Sequence, residues 1–189
     1  MTAKEIIDSL VKKKTNGEKI SVEDLGKIVD TISVKDYVAG KNAVMVFYSG
    51  ETEKFIENFS NDSGSFVRMI NRTEAYKLLD DKKFKNILQY AIKCDNPNIS
   101  TPEVIAQVED ILYDASRYEN GKWIKTDGFW ARISRRFAAE TTGDAYSLCG
   151  TAAGDRIFAM DELPSWLKNA PDGAKMGGYT KATTTLYLL

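Results

Sequence analysis

Residues 43–50 read Ala43-Val44-Met45-Val46-Phe47-Tyr48-Ser49-Gly50, an unbroken apolar run closed by two small residues. A run this short and apolar on every position suits a strand covered on both faces rather than a helix with one buried stripe. The serine and glycine suit a tight turn into a helix, and residues 52–59 continue at helical spacing. Residues 66–70 are read as a second strand, followed by Asn71-Arg72-Thr73 and a helix from Glu74. Residues 144–149 are a third strand before Gly150-Thr151, and residues 185–189 a fourth. Strands separated by helices predict an α/β fold, a short parallel sheet of about four strands flanked by helices. Ligands in such sheets lie beyond the carboxyl ends of the strands. That rule points to Ser49-Gly50, Asn71-Arg72-Thr73, Gly150-Thr151 and residues 158–162, whose loops are expected to converge.

Working outward, residues 3–15 and 22–40 carry apolar side chains at helical spacing, with Thr15-Asn16-Gly17 as a turn and Ser21 with Asp24 as a helix start. Residues 82–118 read as mainly helical, broken at Asp95-Asn96-Pro97-Asn98 and restarted at Ser100-Thr101-Pro102-Glu103. Asn120-Gly121-Lys122-Trp123 reads as a turn, and residues 127–140 as the strongest amphipathic helix. Residues 171–184, rich in glycine and small side chains, read as a mobile loop. The expected organisation is a helical N-terminal region over 1–40 and an α/β catalytic domain over 41–189. A helical insertion lies around 82–118, and the whole forms one compact unit.

Composition removes many activities. The chain of 189 residues has no histidine, which excludes imidazole-based serine and cysteine triads and histidine-borne zinc sites. Two cysteines, Cys94 and Cys149, read as buried thiols rather than a disulfide framework. A net charge of -1 gives no electrostatic case for nucleic acid. No run approaches the roughly 18 apolar residues of a membrane span, and the N-terminus has no signal-peptide core. The expectation is a soluble protein with no membrane or nucleic-acid partner and no metal, whose chemistry rests on carboxylates, hydroxyls, aromatics and guanidinium groups.

The sharpest chemical signal is Phe129-Trp130-Ala131-Arg132-Ile133-Ser134-Arg135-Arg136-Phe137-Ala138. At helical spacing Ile133, Phe137 and Ala138 face a core, while Trp130, Ser134 and Arg135 fall on a neighbouring face. A tryptophan beside a serine and a guanidinium suits a flat heteroaromatic ring with a polar substituent, and equally suits simple packing at a helix start. The segment resembles the corresponding helix of the ADP-ribosyl cyclase and NAD glycohydrolase family. In that family a strand, a turn and a Phe-x-x-x-Glu element follow, as residues 144–149 and Phe158-Ala159-Met160-Asp161-Glu162 do here. The resemblance covers roughly residues 86–166. It implies Glu162 as the catalytic glutamate, Trp130 as a nicotinamide-stacking ring, and Ser134, Arg135 and Phe158 as substrate contacts. Gln107-Val108-Glu109-Asp110-Ile111-Leu112 is similar to a further family segment, which implies Glu109 as the acid that tunes cyclisation against hydrolysis. The family's cysteine framework has no counterpart, and Tyr90 is the nearest match to its second tryptophan. Val46-Phe47-Tyr48-Ser49-Gly50, the Trp130 helix, residues 158–164 and the terminal strand resemble C-terminal toxin domains of bacterial contact-delivered and secreted effectors. That likeness implies delivery by a secretion system, action in the cytoplasm and an immunity protein as partner.

The implied chemistry is feasible without histidine. The nicotinamide of NAD leaves as a neutral molecule, so no acid must protonate it, unlike the leaving oxygen of an ordinary glycoside. One glutamate suffices to stabilise the oxocarbenium ion, and stacking on Trp130 adds a cation–π contribution of about 0.5–2 kcal/mol. Backbone amides of Ser49 and Gly50 at a helix start suit the pyrophosphate. The expected activity is therefore NAD glycohydrolysis to ADP-ribose and/or cyclic ADP-ribose, with NAD as substrate and no cofactor. Mono-ADP-ribosyl transfer to protein and a non-catalytic nucleotide- or partner-binding domain remain open alternatives.

Overall fold

In the computed structural model, residues 1–49, 53–113, 117–120, 122–124, 127–148, 157–177 and 179–180 are described. The chain divides into two compact units, residues 1–34 with 74–133 and residues 35–73 with 134–189. The N-terminal helices and the helices around 82–118, separate pieces in the sequence reading, therefore belong to one unit.

In the first unit α1 (Ala3–Thr15) starts at a reciprocal cap: the Thr2 side chain accepts from the Glu5 amide and Glu5 accepts from the Thr2 amide. It ends at Asn16 with Gly17 at φ 71°, a left-handed residue that lets the Glu18 amide reach back to the Lys13 carbonyl. α2 (Val22–Thr31) is capped by Ser21, whose hydroxyl accepts from the Asp24 amide. α4 (Glu74–Asp80), α5 (Lys82–Asp95) and α6 (Thr101–Tyr113) follow. α5 packs against the other four through Phe84, Ile87, Leu88 and Ile92, all fully buried. The Lys77 ammonium and the Ala3 amide hold the Glu74 carboxyl below the usual carboxylate range, which ties α4 to the start of α1. A short antiparallel hairpin, β3 (Arg117–Glu119) and β4 (Lys122–Ile124), precedes α7 (Phe129–Ala139).

The second unit holds the sheet. β1 (Val44–Tyr48), β2 (Val67–Met69), β5 (Ala145–Leu148) and β6 (Lys175–Met176) are mutually parallel in the order β2-β1-β5-β6, and β7 (Tyr179–Thr180) adds an antiparallel edge. The fold is α/β, as the sequence predicts. β1 carries the reason. Val46 packs with Ile56 of α3 (Glu53–Ser63) and Met69, joined by Tyr48, Phe59, Val67 and Leu148. Phe47, pointing the other way, meets Phe137 of α7 edge-on at 6.0 Å and Phe158 at 6.0 Å. Both faces of β1 are thus covered by helical elements. The chain steps from β1 to β2 on one side and later to β5 on the other, so the strand order reverses between β1 and β5. Their carboxyl ends, at Tyr48 and Leu148, define the switch point where sheets of this kind open a crevice.

Several expectations need correction. The helix expected over 22–40 stops at Thr31, because Ile32 is extended and the following chain buries Val34 and Asp36. Asp36 is tied into the second unit: its Oδ2 accepts from the Met69 amide at 3.1 Å and faces Arg72 Nη1 at 3.6 Å. Residues 171–184 were expected as a loop, yet 175–176 and 179–180 pair as strands. Gly177, at φ 48°, makes the turn between them and donates its amide to the Ala145 carbonyl at 3.0 Å. Strand pairing uses the backbone, so small side chains do not forbid it. Residues 117–119 and 122–124 are strands rather than helix end and turn. Asn120, left-handed at φ 51°, and the glycine after it form the hairpin signal. Residues 185–189 lie outside the described residues.

Candidate functional site

Two of the residues that the sequence singles out, Phe158 and Glu162, lie on one turn of chain in the second unit. Phe158–Glu162 forms a π turn, in which the Leu163 amide reaches back five residues to the Phe158 carbonyl. It runs into α8 (Leu163–Asn169) with Pro164 in that helix's first turn. Proline has no amide to give to the Met160 carbonyl, so the α-helical ladder is released there and one extra residue fits into the turn. Such single-turn insertions occur disproportionately at functional sites. The wider turn buries three side chains at once: Phe158 at 9%, Asp161 at 2% and Glu162 at 4% exposure. Phe158 lies against Phe47, one residue before the end of β1, so the turn packs by the carboxyl end of that strand. That is where the fold rule puts a ligand.

Arg135 was expected to contact substrate. Its Nη1 lies 2.8 Å from Asp161 Oδ1, and Ser165 of α8 donates its hydroxyl to the Arg135 carbonyl at 2.8 Å. Two bonds thus fasten α7 to the π turn and to the helix after it. Two adjacent buried carboxylates would repel each other, and the guanidinium balances one of them. Asp161 carried no functional expectation. Its signal was a second acid beside Glu162 in an otherwise apolar stretch, with a cationic helix upstream to meet it.

The other expected residues fare unevenly. Ser134 is buried at 4%, one helical turn after Trp130 on α7. The Ser49 amide donates to the Leu148 carbonyl at 3.3 Å, so it extends the β1–β5 ladder and leaves the hydroxyl, not the amide, to offer a ligand. Gly50 lies outside the described residues, as does Gly150-Thr151. Arg72 is committed to structure. It donates to the Ser60 hydroxyl at 2.9 Å, to the Val67 and Gly64 carbonyls and to the Ser60 carbonyl, pinning the end of α3 to β2.

Trp130 and Glu109 belong to the first unit. Trp130 sits in an aromatic group, with Tyr113 stacked at 6.5 Å and Tyr76 edge-on at 5.1 Å. Single tyrosines on apolar helix faces gave no sequence signal of that cluster. Glu109 is exposed on α6. A cleft of about 410 Å³ in the same unit is lined by Gly26, Asp30, Phe129 and Arg132, and one of about 580 Å³ by Ala3, Ile7, Glu74 and Lys77. Neither includes an expected site residue. Among the described residues no group of histidine, cysteine and acidic side chains is placed to hold a metal ion, and no helix is long and apolar enough to cross a membrane.

Comparison with protein families, curated proteins and solved structures yields no match. The reading of the site therefore rests on its own residues and on the motif resemblance.

Proposed function

We propose that the chain is an NAD glycohydrolase with Glu162 as its catalytic carboxylate. The observation that carries this reading is the π turn. It buries Glu162 next to an aspartate engaged by Arg135, on a turn packed by Phe158 against the carboxyl end of β1. In the reaction the bond between ribose C1′ and the nicotinamide nitrogen breaks, and its electron pair neutralises the pyridinium. Glu162 stabilises the oxocarbenium ion that forms, by fixed charge in a site with little water. Water then adds to C1′ and loses its proton, giving ADP-ribose; attack by the adenine ring instead gives cyclic ADP-ribose. One carboxylate suffices because the leaving group needs no proton. NAD depletion by such an activity fits a toxin with an immunity partner.

The test separates hydrolysis from transfer. Purified protein is incubated with NAD, with and without an added protein acceptor, and free nicotinamide is followed over time. Release at the same rate in both reactions supports hydrolysis. Release that depends on the acceptor, with ADP-ribose bound to it, makes the chain a transferase and overturns this reading.

Two site residues carry their own tests. Replacing Trp130 by Ala is expected to raise KM for NAD and lower kcat/KM with kcat changed much less, since stacking shared by ground and transition states is uniform binding. Phe at this position, which still packs on Tyr76 and Tyr113, is expected to recover part of the loss. A drop in melting temperature with unchanged kinetics would assign Trp130 to packing alone, where a ring pair contributes about 0.5–1.5 kcal/mol. For Glu109→Ala the expectation is retained NAD cleavage with a higher ratio of cyclic to linear ADP-ribose. An unchanged ratio and rate would show Glu109 to be a solvated helix residue.

A further inference from the structure

We infer that Arg135 is a positioning residue: its ion pair with Asp161 fixes the π turn, and through the turn sets where the Glu162 carboxylate stands. This rests on the proposed role of Glu162, and it replaces the substrate contact that the sequence suggested for Arg135. The geometry supports it at three points. The Nη1–Oδ1 contact of 2.8 Å joins a half-exposed guanidinium to a carboxylate that is 2% exposed, directly before Glu162 in the chain. Ser165, two residues beyond Leu163, holds the backbone carbonyl of the same arginine. Leu163, between these two anchors, donates the five-residue bond to the Phe158 carbonyl, a wider and rarer winding than the α-helix that would otherwise form.

A π turn has a competitor close by. Tightened to α-helical winding, the same residues would rotate by part of a turn, and Asp161 and Glu162 would leave their present surroundings. Anchoring Asp161 favours the wide form, the one in which its carboxylate meets the guanidinium at 2.8 Å. Placement matters at this scale, since a displacement of about 1 Å at a reacting group costs about 10²-fold in rate.

The test uses Arg135→Gln, Arg135→Lys and the double variant Arg135→Gln/Asp161→Asn. The double variant removes both charges of the pair together, so it avoids the uncompensated Asp161 carboxylate that Arg135→Gln alone would leave. Two readouts are taken: steady-state kinetics of nicotinamide release from NAD, and hydrogen exchange of the Leu163 amide, the donor of the wide bond. The expected result for the double variant is a kcat lower by about 10²-fold with KM within about twofold of the parent, and faster exchange at Leu163. Arg135→Lys, which can still reach Asp161 with a single donor, is expected to restore most of the turnover and the protection.

A raised KM with unchanged kcat would overturn the inference by making Arg135 a substrate contact. Parental turnover in the double variant, or unchanged Leu163 exchange, would overturn it by showing that the pair does not set the turn. Should the parent protein release no nicotinamide, the proposed function fails, while Leu163 exchange still decides whether the pair holds the turn.

Discussion

Glu162→Gln is expected to leave the fold and NAD affinity nearly intact and to cut turnover about 10²–10³-fold, the usual cost of losing one preorganised electrostatic stabiliser. Glutamine keeps the size and shape of the side chain, and Glu162 is 4% exposed, so the cavity it fills is unchanged. What would disappear is the negative charge that the proposed mechanism sets against the oxocarbenium ion. The adjacent Asp161 cannot substitute, because its Oδ1 is engaged by Arg135 at 2.8 Å. Parental turnover in folded Glu162→Gln would remove this residue from the mechanism. Circular dichroism and the melting temperature establish that the variant is folded.

The largest effect on stability is expected from Phe47→Ala. Phe47 is 1% exposed and its ring joins β1 to both Phe137 of α7 and Phe158 of the π turn. Truncating a fully buried phenylalanine costs about 3–5 kcal/mol through lost burial and the cavity left behind. Against a typical stability of about 5–15 kcal/mol, that brings the protein close to its unfolding threshold. Phe47→Leu, which keeps much of the volume, is expected to cost less and to keep the sheet. Because Phe158 leans on the same ring, residual folded Phe47→Ala is also expected to lose turnover. Denaturant titration of the three proteins checks the order. A loss below about 1 kcal/mol for Phe47→Ala would mean that the ring does not bridge the sheet to the π turn.

Legibility in the sequence followed the strength of local signals. The apolar run at 43–48 fixes its own state, since six consecutive apolar side chains leave no solvent face, and β1 lies where it was expected with both faces covered. Thr15-Asn16-Gly17 and Ser21 act through their own backbone neighbours, and both helix ends fall accordingly. The two-residue strands β6 and β7 were illegible because their pairing partners, Ala145 and each other, are set by topology and not by side-chain alternation. Asp36 was missed for a related reason. A lone aspartate within an expected helical run reads as surface, and only the folded chain brings the Met69 amide and Arg72 to it.

Within the candidate site, Glu162 was singled out through a motif, and its burial is a property that motif could not convey. The π turn was illegible because a single inserted residue leaves apolar spacing almost unchanged, and Pro164 reads equally well as an ordinary helix start. Arg135 illustrates the limit of helical-wheel reasoning. The wheel gives the face on which a guanidinium leaves its helix, but whether it meets a ligand or an aspartate depends on a segment 26 residues further along.

The most direct measurement is a chromatographic product analysis of NAD incubated with the purified parent protein and no other macromolecule. The account predicts loss of NAD with one nicotinamide released per ADP-ribose formed, linear and cyclic products counted together. NAD remaining intact over the same incubation, with the protein shown to be folded, would contradict it.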